Sequence, residues 1–560
     1  MEKLWCLFVR NKILIYLQYF FTREFFSVII DKWQIIMIIE RKQTMQKYDV
    51  IVVGAGNGGL SAATYLATEG KKVLVLEKHN LPGGCATSFV RGNYEFEATL
   101  HELCQFGTGE GEGKRGAVRQ VVEDKYHLDV EWMSANESFA AVSTGEGGFN
   151  VAMPAGVQNF IDEMEKAVPG SRESMTTVME LGRMLVDGVE WLFERHNEPT
   201  PPQKVEMLLK YYDLMCLVPQ PCDAMLRKIG VPDKARNIFE SYWTYVACDS
   251  TEMSFAPYVF MTYVYLTQLP WFAKNRSHEI SLAYDAKIRE LGGDIWYNTE
   301  VTKIDIKDGS VKGVEIKGGQ YIACDWVISN LMPHVVFDRL VDAKEVPEYD
   351  RKKMNAQRLA QAAFTVYLGL DASAEEIGLK NYDTFMRYNP DNHEQWKSSN
   401  SIDTHKDITV TNICAANPDA AGEGRAFLQF SKFYDGDAFE NVTEEEYFQL
   451  KDKIARECVE RYEEVTGCKL QGHIEEIVVA SPMTWARYLG TPKGDVYGYY
   501  PRLWDGMFPR VQCGHKEDYT IHGLRFVGGH GTQMDGYSQA YLSGAEQARY
   551  MLLDMKKEGK

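Results

Sequence analysis

Several things are missing from this 560-residue chain, and each absence excludes a class of protein. Basic residues are outnumbered, 61 Lys and Arg against 79 Asp and Glu, for a formal charge of −18. That balance argues against a nucleic-acid partner, because a phosphate-binding face needs a basic surplus. The 11 cysteines are odd in number, scattered, and form no C-x-x-C pair. A disulfide framework and a zinc site are therefore set aside, and a reducing, cytoplasmic compartment is expected. The apolar runs 13–21 and 33–39 fall far short of the roughly 18 to 20 residues of a membrane-spanning helix. No His/Cys/Asp group has metal-ligand spacing, no Ser-His-Asp nucleophile signature stands out, and no second G-x-G-x-x-G follows a strand. What is present is ordinary globular bulk, 45% hydrophobic and 25% charged, long enough for two or more domains. Aromatic content of 12% suits an apolar pocket as well as a large core.

The chain is organised around Tyr48 to Glu77, which reads as strand, glycine turn, helix, strand. Tyr48–Val53 is a short β-branched run of the kind buried in a parallel sheet. Gly54, Gly56 and Gly59 then hold the G-x-G-x-x-G spacing, with Gly58 beside the third. The first glycine allows the tight turn, the second lets a pyrophosphate approach the backbone, and the third lets the helix pack on the strand. The helix is predicted from about Gly58 to Glu69, stopped by Gly70, with its first N–H groups on the phosphates. A second strand, Lys72–Leu76, ends in Glu77, followed by Lys78. A carboxylate about twenty residues past the glycines is placed to accept from a ribose 2′-OH. Gly83-Gly84, followed by Cys85, should form another tight turn near the same ligand.

Residues 1–44 do not match the rest. A signal peptide, a peripheral membrane anchor and an over-extended start ahead of Met45 are the candidate readings, and the last is preferred. The Gly-rich stretch 107–116 reads as a surface loop. From about Val121 to Trp271 helical periodicity dominates, with two aromatic-rich segments at 241–249 and 255–271. Residues 278–330 return to α/β: a helix presenting Ile280, Tyr284, Ile288 and Leu291 on one face, then strands at about 294–297, 299–307, 311–317 and 326–328. Thr443 and Glu446 open a long helix as a capping box, and Gly467 closes it. Near the C-terminus, 524–552 reads as strand, glycine turn and helix, the helix starting near Gly536.

The segment from Glu77 through His79, Gly83-Gly84-Cys85, Ser88-Phe89, Phe96-Glu97 and His101 resembles the flavoprotein family of phytoene desaturases, carotenoid isomerases and all-trans-retinol saturases, the saturase branch most. The resemblance covers about Met45 to Leu553 and is strongest at both ends. It implies an α/β fold with a Rossmann-like FAD-binding domain of the glutathione-reductase/amine-oxidase type. That domain would be built from discontinuous segments, 45–120, 275–332 and 481–560, with an α+β substrate domain interleaved at 121–274 and 333–480. By the same resemblance the Val301 backbone meets the adenine. Gly529, Asp535 and Gly536 lie near the flavin, with Asp535 also read as a helix N-cap. Three departures stand out. Thr99 replaces a glycine, LPWFAKNRSHE replaces a Pro-x-Gly-Gly turn, and Met534-Asp535 replaces Pro and Gly.

FAD is favoured over NAD because one glycine fingerprint and one C-terminal glycine-rich strand-helix are present, without a separate nicotinamide domain. The chemistry expected is hydride transfer at a carbon–carbon double bond of an apolar polyene, as saturation, isomerisation or desaturation. The electron partner, a nicotinamide or a quinone, is left open. Saturation needs a proton at the second carbon; His101 or Glu102 could supply it, while His101 serves equally as a satisfied core residue. Two alternatives are an amine-oxidase-like flavoprotein and a prenyl-lipid carrier of the GDP-dissociation-inhibitor type. The Gly-Gly-Cys segment argues against the first and the intact glycine motifs against the second.

Overall fold

The computed structural model describes residues 48–99, 102–107, 115–135, 137–195, 199–435, 437–503, 519–530 and 536–559. The leader, His101 and Asp535 lie outside the described residues, as does most of the loop 107–116.

A five-stranded, all-parallel sheet is assembled from distant parts of the chain. Its order is Leu524–Phe526, Val327–Ser329, Val50–Val53, Val73–Leu76, Asp294–Trp296. Every residue of the strands Val50–Val53 and Val73–Leu76 is buried, as continuous Val/Ile/Leu runs covered on both faces require. The helices Asn57–Thr68 and Tyr537–Lys557 cross on this sheet almost backbone to backbone. A Cβ at Gly544 would stand 2.3 Å from the Gly58 carbonyl oxygen, and Ser61 Oγ donates to the Tyr541 carbonyl at 2.6 Å. The first and last elements of the domain are thus one packing unit.

The second layer is a seven-stranded sheet in the order Ile474–Ala480, Ala362–Leu370, Ala426–Tyr434, Ile408–Thr411, Asp383–Arg387, Glu137–Ser143, Phe149–Pro154. Against it pack the helices of the 157–268 region, including Arg172–Phe193 and the aromatic helix Phe255–Gln268. An antiparallel meander, Val301–Lys307, Ser310–Ile316 and Gln320–Ala323, turns at Asp308-Gly309 as the sequence predicts. Glu444–Thr466 is capped by the Thr443–Glu446 box and ends at Gly467 with φ 76°.

Helices dominate between Val121 and Trp271 as expected, after three strands that the periodicity did not show, Trp132–Ser134, Glu137–Ser143 and Phe149–Pro154. Glu137–Ser143 lies inside the sheet with both faces covered, so it shows no alternation to distinguish it from a buried helix. In the helix Ser277–Glu290, Ile280, Tyr284 and Ile288 are buried, but Leu291 lies past the last turn and is exposed. Among the described residues no helix is long and apolar enough to cross a membrane.

Candidate functional site

The glycine turn is shaped by contacts that no side chain could share. Gly54 sits at φ 94° and donates its N–H to the Leu76 carbonyl at 2.8 Å. A Cβ on Gly56 would lie 2.4 Å from Asn330 Nδ2, on Gly58 2.7 Å from the Gly528 nitrogen, and on Gly59 2.1 Å from the Gly54 oxygen. Asn330, directly after the strand Val327–Ser329, is the hub: its Oδ1 accepts the Gly59 N–H at 3.1 Å while its own N–H reaches the Val53 carbonyl at 2.9 Å. Sequence reading passed over it, although its place at the carboxyl end of a central parallel strand is where ligands of such sheets bind.

The second turn is laid on the first. Gly83 has φ 114°, donates to the Ala55 carbonyl at 2.8 Å, and its Cβ would meet the Ala86 oxygen at 2.2 Å. Glu77 ties the strand to the turn: Oε2 accepts from the Ala55 N–H at 2.7 Å and Oε1 from the His79 N–H at 2.8 Å. A carboxylate offers about four acceptor positions, so two remain for ribose hydroxyls. The Thr299 N–H bonds the Glu77 carbonyl at 2.8 Å, which brings Val301 to the same end. Replacing Glu77 with Ala removes both anchors, and pigment content per chain, read from visible absorbance, is expected to fall at least tenfold.

These pieces line a single cavity of about 510 Å³ that continues from the glycines into the aromatic layer. Gly54, Gly56, Gly58, Glu77 and Lys78 wall one end, with Val301 and Asn330. Gly83, Gly84, Cys85, Gly529 and Gly536 wall its middle. Gly59 is not on the lining; it acts behind the wall, as the hinge of turn and helix. Lys78 and Arg339 are its cations among the described residues, a match for the two charges of a pyrophosphate. Tyr245, Phe260 and Tyr265 form the far end, over a floor of Thr365, Gln429 and Ser431 from the second sheet.

Two of the three departures from the resembled family are absorbed by side chains, while Met534-Asp535 lies outside the described residues. Thr99 Oγ1 donates to the Cys85 carbonyl at 3.0 Å and contacts the Tyr537 hydroxyl. Where a Pro-x-Gly-Gly turn is the pattern, Arg276 takes φ 80° and bonds the Glu95 and Ala420 carbonyls. Ser538 Oγ accepts the Cys104 N–H at 3.0 Å and donates to its carbonyl at 2.9 Å, fastening the segment that holds Glu102 to the start of the last helix.

Glu102 lines the cavity, is buried, and among the described residues has no well-formed hydrogen bond on either oxygen, the Tyr265 hydroxyl being the nearby donor. Burial, then the like charge of Asp383, pushes its carboxyl well above the usual range. Two further titrating groups on the lining escaped sequence reading. Burial holds His530 neutral, down to about 4, and burial pushes Asp495 up to about 7. Asp495 Oδ1 accepts the Tyr497 and Gly498 N–H groups at 2.8 and 3.0 Å, while Oδ2 has no partner. The Cys85 thiol, raised to about 12 by burial and by Asp495, stays neutral.

Asp495 has a consequence for stability. An unfolded Asp ionises near about 3.9, so between roughly pH 4 and 7 the unfolded chain loses a proton that the cofactor-free folded chain keeps. Stability is full below that window, falls across it by on the order of 4 kcal/mol, and is flat above it. Glu97, buried and also raised to about 7, adds a parallel fall. Asp495→Asn is expected to halve the drop in Tm between pH 5 and 7, measured by calorimetry; an unchanged slope would refute the assignment.

The cavity fits an extended dinucleotide. Asn57 Oδ1, Asp495 Oδ2 and His530 Nε2 are buried polar atoms on its wall without partners, which a polar guest would satisfy.

Comparison with known proteins agrees with this layout. A model described as an NAD(P)-binding Rossmann-like domain matches residues 52–111. The chain is 24% identical over 502 residues to all-trans-retinol 13,14-reductase of Danio rerio, covering 80% of this chain and 77% of that protein. It is 22% identical to prolycopene isomerase 2, chloroplastic, of an Oncidium hybrid cultivar, over 92% of this chain and 85% of that one. It is 23% identical to a 4,4′-diapolycopene oxygenase of Methylomonas sp, over 88% and 96%. Among solved structures, an oxidoreductase from Methanosarcina mazei superposes with a TM-score of 0.59 at 14% identity, covering 90% of this chain and 99% of that one. Putrescine oxidase bound to putrescine gives the same values. The reductase and the isomerase are of the kinds the sequence resembles, and the solved structures share the fold.

Proposed function

We propose that this protein is an FAD-dependent oxidoreductase acting on a carbon–carbon double bond of an apolar polyene, with saturation favoured over isomerisation and desaturation. The observation behind this reading is that one cavity joins a glycine-walled polar end to an apolar aromatic end. The polar end would hold the nucleotide: Glu77 for a ribose, the 54–59 turn with Lys78 and Arg339 for the pyrophosphate, Val301 beside the adenine. FAD, when bound, supplies or accepts the hydride. The residues of this chain do the rest. Tyr245, Phe260 and Tyr265 hold the chain of the substrate and keep water out, and Glu102 gives a proton to the second carbon. The names of the relatives, reductase and isomerase, support the class of reaction and of substrate.

The test is anaerobic reduction of the FAD-loaded protein, incubation with all-trans-retinol and with carotenoids, and product mass. A gain of two hydrogens is expected. Unchanged mass with altered retention would mark an isomerase, and loss of two hydrogens a desaturase. Hydrogen peroxide released from amines would instead favour the amine-oxidase alternative, whose fold this chain shares.

A further inference from the structure

Three acids, Glu102, Asp383 and Glu137, are brought together behind the aromatic end of the cavity by three separate elements. Their hydrogen bonds differ in kind. Asp383 opens the strand Asp383–Arg387 and is wholly buried. Its Oδ1 accepts from Thr411 Oγ1 at 3.0 Å, and its Oδ2 accepts from the Tyr245 hydroxyl. Glu137 Oε1 accepts the Tyr382 backbone N–H. Glu102 has no well-formed hydrogen bond on either oxygen among the described residues, and the Tyr265 hydroxyl is the donor near enough to act on it. A carboxylate with donors aimed at it keeps its charge, whereas one without donors beside a like charge keeps its proton.

The aromatic rings set the spacing. Tyr245 stands edge-on to Phe385 at 5.3 Å and to Tyr242 at 5.5 Å. Tyr242 stacks on Tyr265 at 5.6 Å, and Tyr265 shares the cavity wall with Glu102. A run of three contacting tyrosines therefore leads from Asp383, bonded by Tyr245, to Glu102, beside Tyr265. The ionisable groups acting on Glu102 are Asp383 and Glu137 from the sheet and the Tyr265 hydroxyl from the helix Phe255–Gln268. Tyr242, Tyr245 and Tyr382 complete the surround. The basic group that acts on Asp383 is Arg387, four residues along the same strand.

We propose that Asp383 is a positioning residue that keeps Glu102 in its acid form: held ionised by Thr411 and Tyr245, it denies Glu102 a negative charge until the substrate takes the proton. This rests on the reading of Glu102 as proton donor. In the step itself the Glu102 O–H bond breaks and a C–H bond forms at one carbon of the double bond, while the hydride goes to the other carbon. The Glu102 carboxylate left behind recovers its proton from water when product departs.

The experiment uses the FAD-loaded full chain. Infrared titration, with the protonated-carboxyl band of Glu102 identified by its loss in Glu102→Gln, reads the proton without any turnover. The pH dependence of kcat/KM with all-trans-retinol reads it a second time. The band should persist well above the usual carboxylate range in the unaltered protein, with the alkaline limb of kcat/KM at the pH where it is lost. Asp383→Asn removes the like charge, so Glu102 should lose its proton at lower pH. Band and limb should then move down together by about one pH unit or more, with pigment content and the rate of flavin reduction by dithionite unchanged. Thr411→Val, away from the cavity wall, should move both the same way by a smaller amount and serves if Asp383→Asn fails to fold. A Glu102 band absent at pH 7, or one that neither variant moves, overturns the proposal. Absence of retinol turnover alone would count against the function proposed above, because the infrared titration still reports on Asp383.

Discussion

Gly59→Ala should give a colourless protein. The added Cβ would stand 2.1 Å from the Gly54 oxygen and 3.3 Å from Asn330 Cβ, and neither neighbour is a flexible side-chain end. Either the turn opens or the helix Asn57–Thr68 lifts off the sheet. Its partner helix is already in contact through Gly544 against the Gly58 oxygen, so the strain passes to Tyr537–Lys557 as well. A cost of about 3 kcal/mol or more is expected for backbone overlap in a packed interior. Bound flavin per chain, read from visible absorbance, should fall to near zero, and the Tm should drop by several degrees. Gly472→Ala is the matched control, since nothing lies within 4 Å of its Cβ and it should change neither quantity. Full pigment in Gly59→Ala would sink the assignment of this turn as the cofactor cradle.

Glu102→Gln should separate binding from chemistry. The substitution keeps the shape of a buried side chain and removes its transferable proton. Pigment content and Tm should remain as they were, while kcat for double-bond reduction should fall by about a hundredfold to ten-thousandfold, the range for losing a general acid. Because burial and Asp383 raise the Glu102 carboxyl, the unaltered enzyme should lose activity as pH rises through that raised value, and Glu102→Gln should be flat there. A variant with full turnover would exclude Glu102 as proton source. Such a result would direct attention to Asp495, whose Oδ2 is the other unpartnered carboxyl oxygen on the wall.

Much of the cofactor end is legible in the residues alone. Gly54, Gly56, Gly58, Glu77, Gly83 and Gly84 all take up the local geometry their spacing predicts, because turn, helix start and strand end are set by neighbours in the chain. The boundaries agree within one or two residues, as at Asn57–Thr68 and Val73–Leu76. Asn330, Asp495 and His530 are not legible in this way. Each is an ordinary polar residue at the end of a strand or in a loop: Asn330 matters through Gly59, far away in the chain, and Asp495 and His530 through a buried polar atom without a partner among the described residues. The strand Glu137–Ser143 is hidden for a related reason: covered on both faces, it has no period to read.

By itself, then, the sequence determined a glycine-rich turn between strand and helix with an acid at the end of the second strand, together with the long capped helix and the meander around Asp308-Gly309. Those features depend on backbone freedom and hydrogen bonds between near neighbours. Only the tertiary structure decided that the helices holding Gly58 and Gly544 meet, and that Asp383 and Glu137 come within electrostatic reach of Glu102. The sheet that unites them is closed by strands hundreds of residues apart, and the ionisation of a carboxyl follows from what surrounds it in space.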